Sequence, residues 1–209
     1  MTPQEFADTA NVSRETLARL SVYANLLETW QDTVNLVGRR TLDDLWRRHM
    51  LDSAQLFRLL PSPRCRLVDL GSGAGFPGLV LAIMGVSDVE LIEANARKCA
   101  FLKEAARLAE TTVVIHNARI EATDLVETVD VITARALAPL PKLLTYAARF
   151  AGPNTTCLFL KGRRLHEELT AASKTWKMGM TTIPSLSDAG GSVLCLRNLA
   201  RDHDAIDAN

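Results

Sequence analysis

The segment Leu67-Val68-Asp69-Leu70-Gly71-Ser72-Gly73-Ala74-Gly75-Phe76-Pro77-Gly78 constrains the fold of this chain more than any other. An apolar run carrying one acid, Asp69, enters four glycines and then the apolar series Leu79-Val80-Leu81-Ala82-Ile83. Strand, glycine turn and helix in that order form the first unit of a nucleotide-binding α/β domain. Glycine permits positive φ and lets the backbone approach a ligand where a Cβ would collide. Pro77 suits the first turn of the helix, where its missing N–H is no loss.

Two cofactors compete for this loop. Gly73-x-Gly75-x-x-Gly78 satisfies the dinucleotide pattern, with Glu93 lying 20 residues beyond Gly73. Gly71-x-Gly73-x-Gly75, with Asp69 two residues ahead, fits an S-adenosylmethionine (SAM) loop. SAM has no pyrophosphate for a helix N-terminus to neutralise. In that reading Asp69 and the turn carbonyls hold the ammonium. Glu93, ending Val89-Glu90-Leu91-Ile92-Glu93, accepts from the ribose hydroxyls in both readings. The loop points to an adenosine cofactor, with SAM modestly ahead of NAD.

Residues 1–60 read as a helical cap. Thr2-Pro3-Gln4-Glu5 is a capping box with proline at the first helical position. Ser13 starts a second helix whose Leu17, Leu20, Ala24 and Leu27 share a face. Thr41 is expected to cap a third helix reaching to about residue 60, with His49 and Ser53 on its apolar stripe and Asp52 beside them. Pro61-Ser62-Pro63 breaks that helix. Beyond it, strands are expected at 66–70, 88–93, 112–116, 129–134 and 155–161, alternating with helices at 78–84, 95–109, 139–149 and 163–173. A closing antiparallel hairpin follows at 176–183 and 192–198. The fold class is therefore α/β, a mostly parallel sheet with helices on both faces and a C-terminal antiparallel hairpin. Residues 61–198 form the cofactor-binding domain, and 199–209 are expected to be a flexible tail.

Composition excludes several classes. Lysine plus arginine equals aspartate plus glutamate at 24 each, so any anionic partner must be held by local patches. Cys65, Cys99, Cys157 and Cys195 are widely spaced and form no C-x-x-C pair, which argues against a zinc site or a disulfide framework. They read as buried fillers. No apolar run approaches the ~20 residues of a membrane span, and the polar N-terminus is unlike a signal peptide. A cytoplasmic protein without metal is expected. Trp30, Trp46 and Trp176 read as packing residues.

Several separated motifs agree on one family. They are Asn35-Leu36-Val37, Trp46-Arg47-Arg48-His49-Met50-Leu51-Asp52-Ser53, the glycine loop, Glu93-Ala94-Asn95-Ala96-Arg97-Lys98, Ala118-Arg119-Ile120-Glu121, Thr133-Ala134-Arg135-Ala136-Leu137-Ala138-Pro139-Leu140 and Leu160-Lys161-Gly162. In order and spacing the chain resembles the RsmG (GidB) family, bacterial 16S ribosomal RNA guanine-N7 methyltransferases with a Rossmann-like fold. The helical H-x-x-D-S segment and the R-A-x-A-P-L segment carry the resemblance best. It implies that Gly71 and Phe76 line the SAM methionine end, with Asp69, Gly73 and Gly75 in the loop around them. It further implies that Glu93 takes the ribose, Ile120 and Glu121 meet the adenine, and Arg135 sits near the methyl donor and the incoming base. The family departs from this chain at Val37, Gly38 and Ala94, and Ala94 is assigned no contact.

The implied reaction is in-line transfer from SAM to N7 of guanine. N7 carries an exposed lone pair, so positioning can replace a general base. The chain lacks the Pro-Cys of cytosine-C5 enzymes and the Asn-Pro-Pro-Tyr of amino-methylating ones; Ala138-Pro139-Leu140 stands there instead. Arg135 could meet guanine O6 or the SAM carboxylate, and the carboxylate is preferred because a cation beside N7 opposes the developing charge. His49 is balanced between a satisfied core histidine, bonded to Asp52 or Ser53, and a positioning residue. RNA contact is expected from Arg39, Arg40, Arg47 and Arg48, from Arg97, Lys98 and Lys103, and from Lys161, Arg163 and Arg164. The partner implied is 16S ribosomal RNA within a small-subunit particle, acted on by a monomer. Two rivals stay open: an NAD-dependent oxidoreductase, although Tyr146 is followed four residues later by Phe150 rather than lysine, and a non-catalytic adenosine-nucleotide module docked on ribosomes.

Overall fold

The computed structural model describes residues 1–123 and 127–202. Helices α1 (Pro3–Ala10) and α2 (Arg14–Gln31) form the cap, and both begin as their sequences require. The Thr2 side chain accepts from the Glu5 N–H while Glu5 reaches back to the Thr2 N–H, completing the capping box. The Ser13 hydroxyl accepts from the Thr16 N–H at 3.1 Å. On α2, Leu20, Tyr23, Ala24 and Leu27 are buried.

The third expected helix is broken instead. Helix α3 covers only Arg39–Leu42, a π-helical turn follows at Trp46–Leu51, then α4 at Asp52–Ala54 and a 3₁₀ turn at Phe57–Leu59. Gly38, not Thr41, is the N-cap of α3, and Thr41 Oγ1 donates to the Gly38 carbonyl at 2.7 Å. Next to the wide turn, Ser53 Oγ bonds the His49 carbonyl at 2.7 Å, and Asp52 is bound from outside the cap by Ser187.

Strands β1 (Arg66–Leu70), β2 (Asp88–Glu93), β3 (Val114–Asn117), β4 (Val129–Arg135) and β5 (Ala151–Lys161) are parallel. They alternate with α5 (Gly78–Ile83), α6 (Ala96–Leu108), α7 (Leu140–Ala147) and α8 (Leu165–Ala172). The hairpin β6 (Trp176–Pro184) and β7 (Ser192–Arg201) closes the sheet, in the order β3-β2-β1-β4-β5-β7-β6. Strand β5 starts four residues before expectation, at a register irregularity between Val129 and Val131 that accommodates Gly152 and Pro153. Thr155 Oγ1 bridges the Gly152 N–H and the Val129 carbonyl there.

Residues 199–201, expected in the tail, are strand. Arg201 pairs with Trp176 and its guanidinium lies 5.3 Å from the Trp176 ring centre. The remainder of the expected tail, 203–209, lies outside the described residues.

The cap and the sheet share one core. Phe6, Tyr23 and Leu27 pack with Leu67, Leu79 and Phe101, while the other sheet face has its own core around Val68, Ile132, Leu144 and Phe159. Trp30 meets Phe101 edge-on and Trp46 packs on Phe6, as expected of packing residues. Tyr23 donates to the Ala74 carbonyl at 2.5 Å, which ties α2 directly to the glycine turn.

Candidate active site

Chain order reverses at β1, which has β2 on one side and β4 on the other, and ligands of open α/β sheets bind at such a point outside the carboxyl ends of the strands. A cleft of about 830 Å³ lies there. Its floor is the glycine turn from Gly71 to Ala74, with Phe76. One wall is the cap, through Gly38, Thr41, Arg48, His49 and Asp52. The opposite walls are the ends of β4 and β5 and the tip of the β6–β7 hairpin.

The four glycines divide by task. Gly71 (φ +65°) and Gly73 (φ +58°) line the cleft, whereas Gly75 and Gly78 do not. A Cβ on Gly75 would meet Leu79 Cβ at 2.8 Å, and one on Gly78 would meet Asp69 Cβ at 2.6 Å, so these two serve turn-to-helix packing. Asp69 likewise lies off the lining residues. It is fully buried beneath the turn, off the cleft wall, with Oδ1 accepting from Thr133 Oγ1 at 2.7 Å. Burial pushes its pKa up to about 6, against the hydrogen bonds from Thr133, Ser72 and Gly78. Its Oδ2 has no protein partner among the described residues.

Arg135 and His49 meet in the cleft. Arg135 Nη2 lies 2.6 Å from His49 Nδ1, Nη1 donates to the Arg48 carbonyl at 3.1 Å, and Asp52 Oδ2 stands 3.5 Å away. The guanidinium also covers the Phe76 ring at 4.8 Å, beside the His49 ring at 5.0 Å. A guanidinium has only donors, so Nδ1 accepts and Nε2 carries the imidazole hydrogen. That hydrogen goes to Thr41 Oγ1 at 2.7 Å, and the Thr41 hydroxyl passes its own to Gly38. Burial first, then the Arg135 and Arg48 charges, push the His49 pKa down to about 3. The ring is thus neutral, fixed in one tautomer and engaged at both nitrogens. Neither Asp52 nor Ser53 bonds it, contrary to the core alternative; Ser53 reaches only its carbonyl.

Glu93 ends β2 beside this cleft. Its Oε2 accepts from the Gly73 N–H at 2.9 Å and its Oε1 from the Asn95 N–H at 2.7 Å. Ile120 is buried in a 3₁₀ turn (Ile120–Ala122) after β3, and Glu121 beside it is exposed. Glu93, Ile120 and Glu121 do not line the cleft itself; they follow the next strands along the same sheet edge.

The basic residues also divide. Lys161 is bound to Glu168 at 2.5 Å and only 8% exposed, and Glu168 Oε2 further accepts from the Leu140 N–H. Arg47 pairs with Asp44 at 2.5 Å and Arg48 with Asp188 at 2.6 Å. Arg163 packs against Gly190. Arg39, Arg40, Lys98 and Arg164 make no ion pair with a described residue; Lys98 and Arg164 line the cleft, and Arg39 and Arg40 sit between its lining residues Gly38 and Thr41.

One part of the site carried no sequence signal. The hairpin tip docks on the cap across more than 130 positions: Ser187 Oγ donates to Asp52 Oδ1 at 2.5 Å, and the Leu186 N–H donates to Gln55 Oε1 at 2.9 Å. Gly190-Gly191 marks a turn, but nothing local says where that turn lands.

The family model for rRNA small subunit methyltransferase G matches residues 16–192. The chain is 55% identical over 201 residues to ribosomal RNA small subunit methyltransferase G of Paramagnetospirillum magneticum, covering 96% of this chain and 98% of that one. It is 53% identical over 201 residues to the protein of that name from Rhodospirillum rubrum, covering 96% and 100%. Among solved structures, a TehB-like SAM-dependent methyltransferase from Corynebacterium glutamicum superposes with a TM-score of 0.57 at 16% identity, over 83% of this chain and 98% of that one. A SAM-dependent methyltransferase from Aquifex aeolicus gives 0.57 at 18% identity, over 75% and 95%. These structures share the Rossmann-like methyltransferase fold. With a cleft at the switch point and a family match over most of its length, the chain belongs to the GidB family of rRNA small subunit methyltransferases.

Proposed function

We propose that this protein transfers a methyl group from SAM to N7 of a guanine in 16S ribosomal RNA, presented within a small-subunit particle. The observation that supports N7 is the state of His49, the imidazole of the cleft wall: neutral, with both nitrogens committed, it is not free to act as a base, and the cleft carboxylates Asp52, Glu168 and Asp188 are each engaged by hydrogen bonds or an ion pair. Methylation of an exocyclic amine or a hydroxyl calls for a proton acceptor, whereas N7 brings its own lone pair.

The donor set suits SAM. Gly71 and Gly73 present bare backbone at positive φ, and a Cβ on Gly71 would run into Leu137 at 2.5 Å. Arg135 carries a guanidinium with five N–H groups, not all used by its present contacts, for the amino-acid carboxylate. Each Glu93 oxygen keeps a lone pair for a ribose hydroxyl, and Ile120 and Glu121, which follow β3 on the same sheet edge, are assigned to the adenine. When bound, SAM supplies a methyl group activated by its sulfonium. The protein's own part is alignment: the Arg135–His49–Thr41 chain holds the guanidinium in one orientation, and the Phe76 ring beneath it excludes water. Arg39, Arg40, Lys98 and Arg164 at the mouth are available to phosphates.

Purified protein, methyl-labelled SAM and small-subunit particles lacking the modification test the proposal. Label should appear in 16S RNA as 7-methylguanosine. Label at another atom or in the large subunit, or none at all, would overturn it.

A further inference from the structure

Three carboxylates line the cleft, and their occupancy differs. Asp52 Oδ1 takes Ser187, Gln55 and Ser185, its Oδ2 faces Arg135, and the side chain is 17% exposed. Glu168 is bound to Lys161 and to the Leu140 N–H and is 20% exposed. Asp188 is 40% exposed and has one partner on each oxygen: Arg48 Nη1 on Oδ2 at 2.6 Å and the Gly190 N–H on Oδ1 at 2.9 Å. Each carboxylate oxygen has two acceptor sites, so one per oxygen is left.

A carboxylate with spare acceptor sites on the wall of a cleft for a polyanion is electrostatically unfavourable toward phosphate. It suits a base edge instead. Guanine presents N1–H and N2–H side by side, the two parallel donors that a carboxylate accepts in a fork, on the edge away from N7. Adenine presents a bare N1 lone pair there, which a carboxylate repels. We propose that Asp188, at the tip of the β6–β7 hairpin, reads the N1–H and N2–H edge of the target guanine while N7 faces the donor side of the cleft. The Gly190 N–H and then Arg48 aim the carboxylate and hold its pKa below the usual range, so it is ionised at neutral pH. Arg48 also links the reader to the reacting end, because its own carbonyl is held by Arg135.

This rests on guanine N7 being the acceptor, and the test separates the two ideas. Once the methylated guanosine is mapped with the parent protein, particles are reconstituted with inosine at that one position. Inosine keeps N7 and N1–H and lacks the N2 amino group. The parent should methylate the inosine particle about 10-fold or more less efficiently in kcat/KM, by loss of one charge-assisted hydrogen bond. Asp188→Ala should be slow on both and lose the preference, with a ratio near one. Unchanged SAM binding by calorimetry shows that the variant is folded, and Asp188→Asn serves in its place if it is not. A parent indifferent to inosine, or an Asp188 variant that keeps the parent's preference, would overturn the assignment. Failure of the parent on guanosine would instead overturn the proposed reaction.

Discussion

His49 is buried among cations, and both circumstances disfavour its charged form. Its pKa falls from the ordinary 6.5 to about 3, so between those values only the unfolded chain takes up the proton, and stability drops as pH drops. Asp69 has the opposite sign: raised from 3.8 to about 6, it is protonated in the folded chain first, which relieves a buried charge as pH falls. Replacing His49 by Gln removes the first contribution alone. The His49→Gln variant should therefore lose less Tm than the parent between pH 6.5 and 4.5; an equal loss would mean that His49 titrates normally. Glu93→Ala should weaken SAM binding by about 1–3 kcal/mol, roughly fivefold to 150-fold in Kd by calorimetry, because ribose bonds and the Gly73 brace go together. At this scale, spacing in the sequence was informative for Glu93, whose partner Gly73 belongs to the same motif. It did not show the surroundings of Asp69, because Thr133 lies 64 residues away and only the pairing of β1 with β4 reveals that it bonds one carboxylate oxygen.

Local elements announce themselves when their cause is local. The caps of α1 and α2 are set within three residues, and β2 follows its apolar run to the residue. The π turn at Trp46–Leu51 does not, and Asp52 at its end is bound both by its neighbour Gln55 and by Ser187 of the distant hairpin tip. The glycine turn shows both behaviours: its pattern was legible, its division of labour was not. That division is testable. Gly71→Ala places a methyl against Leu137 on the cleft floor and should abolish measurable SAM binding, whereas Gly75→Ala collides with Leu79 and should act mainly on stability. Both positions need positive φ, so each variant should also lose about 1 kcal/mol or more, read as Tm. Equal effects of the two on Kd would contradict the assignment.

The whole molecule carries no net charge, so any hold on RNA depends on local patches, and the cations at the mouth of the cleft are the ones proposed for it. Among the basic residues named from the sequence, Arg47, Arg48 and Lys161 already have acidic partners; exposed pairs such as Arg48–Asp188 are worth no more than about 1 kcal/mol. Binding to the particle should weaken with salt, and the double replacement of Arg39 and Arg40 by Ala should flatten the log–log slope by about 1–2. A slope that does not change would remove both from the contact surface. Order of synthesis bears on the same site. The last strand described, β7, is threaded between β5 and β6, and the turn that precedes it is what reaches back to the cap. A chain emerging from the ribosome thus carries its glycine floor and Arg135 well before the hairpin turn completes the pocket wall against the cap.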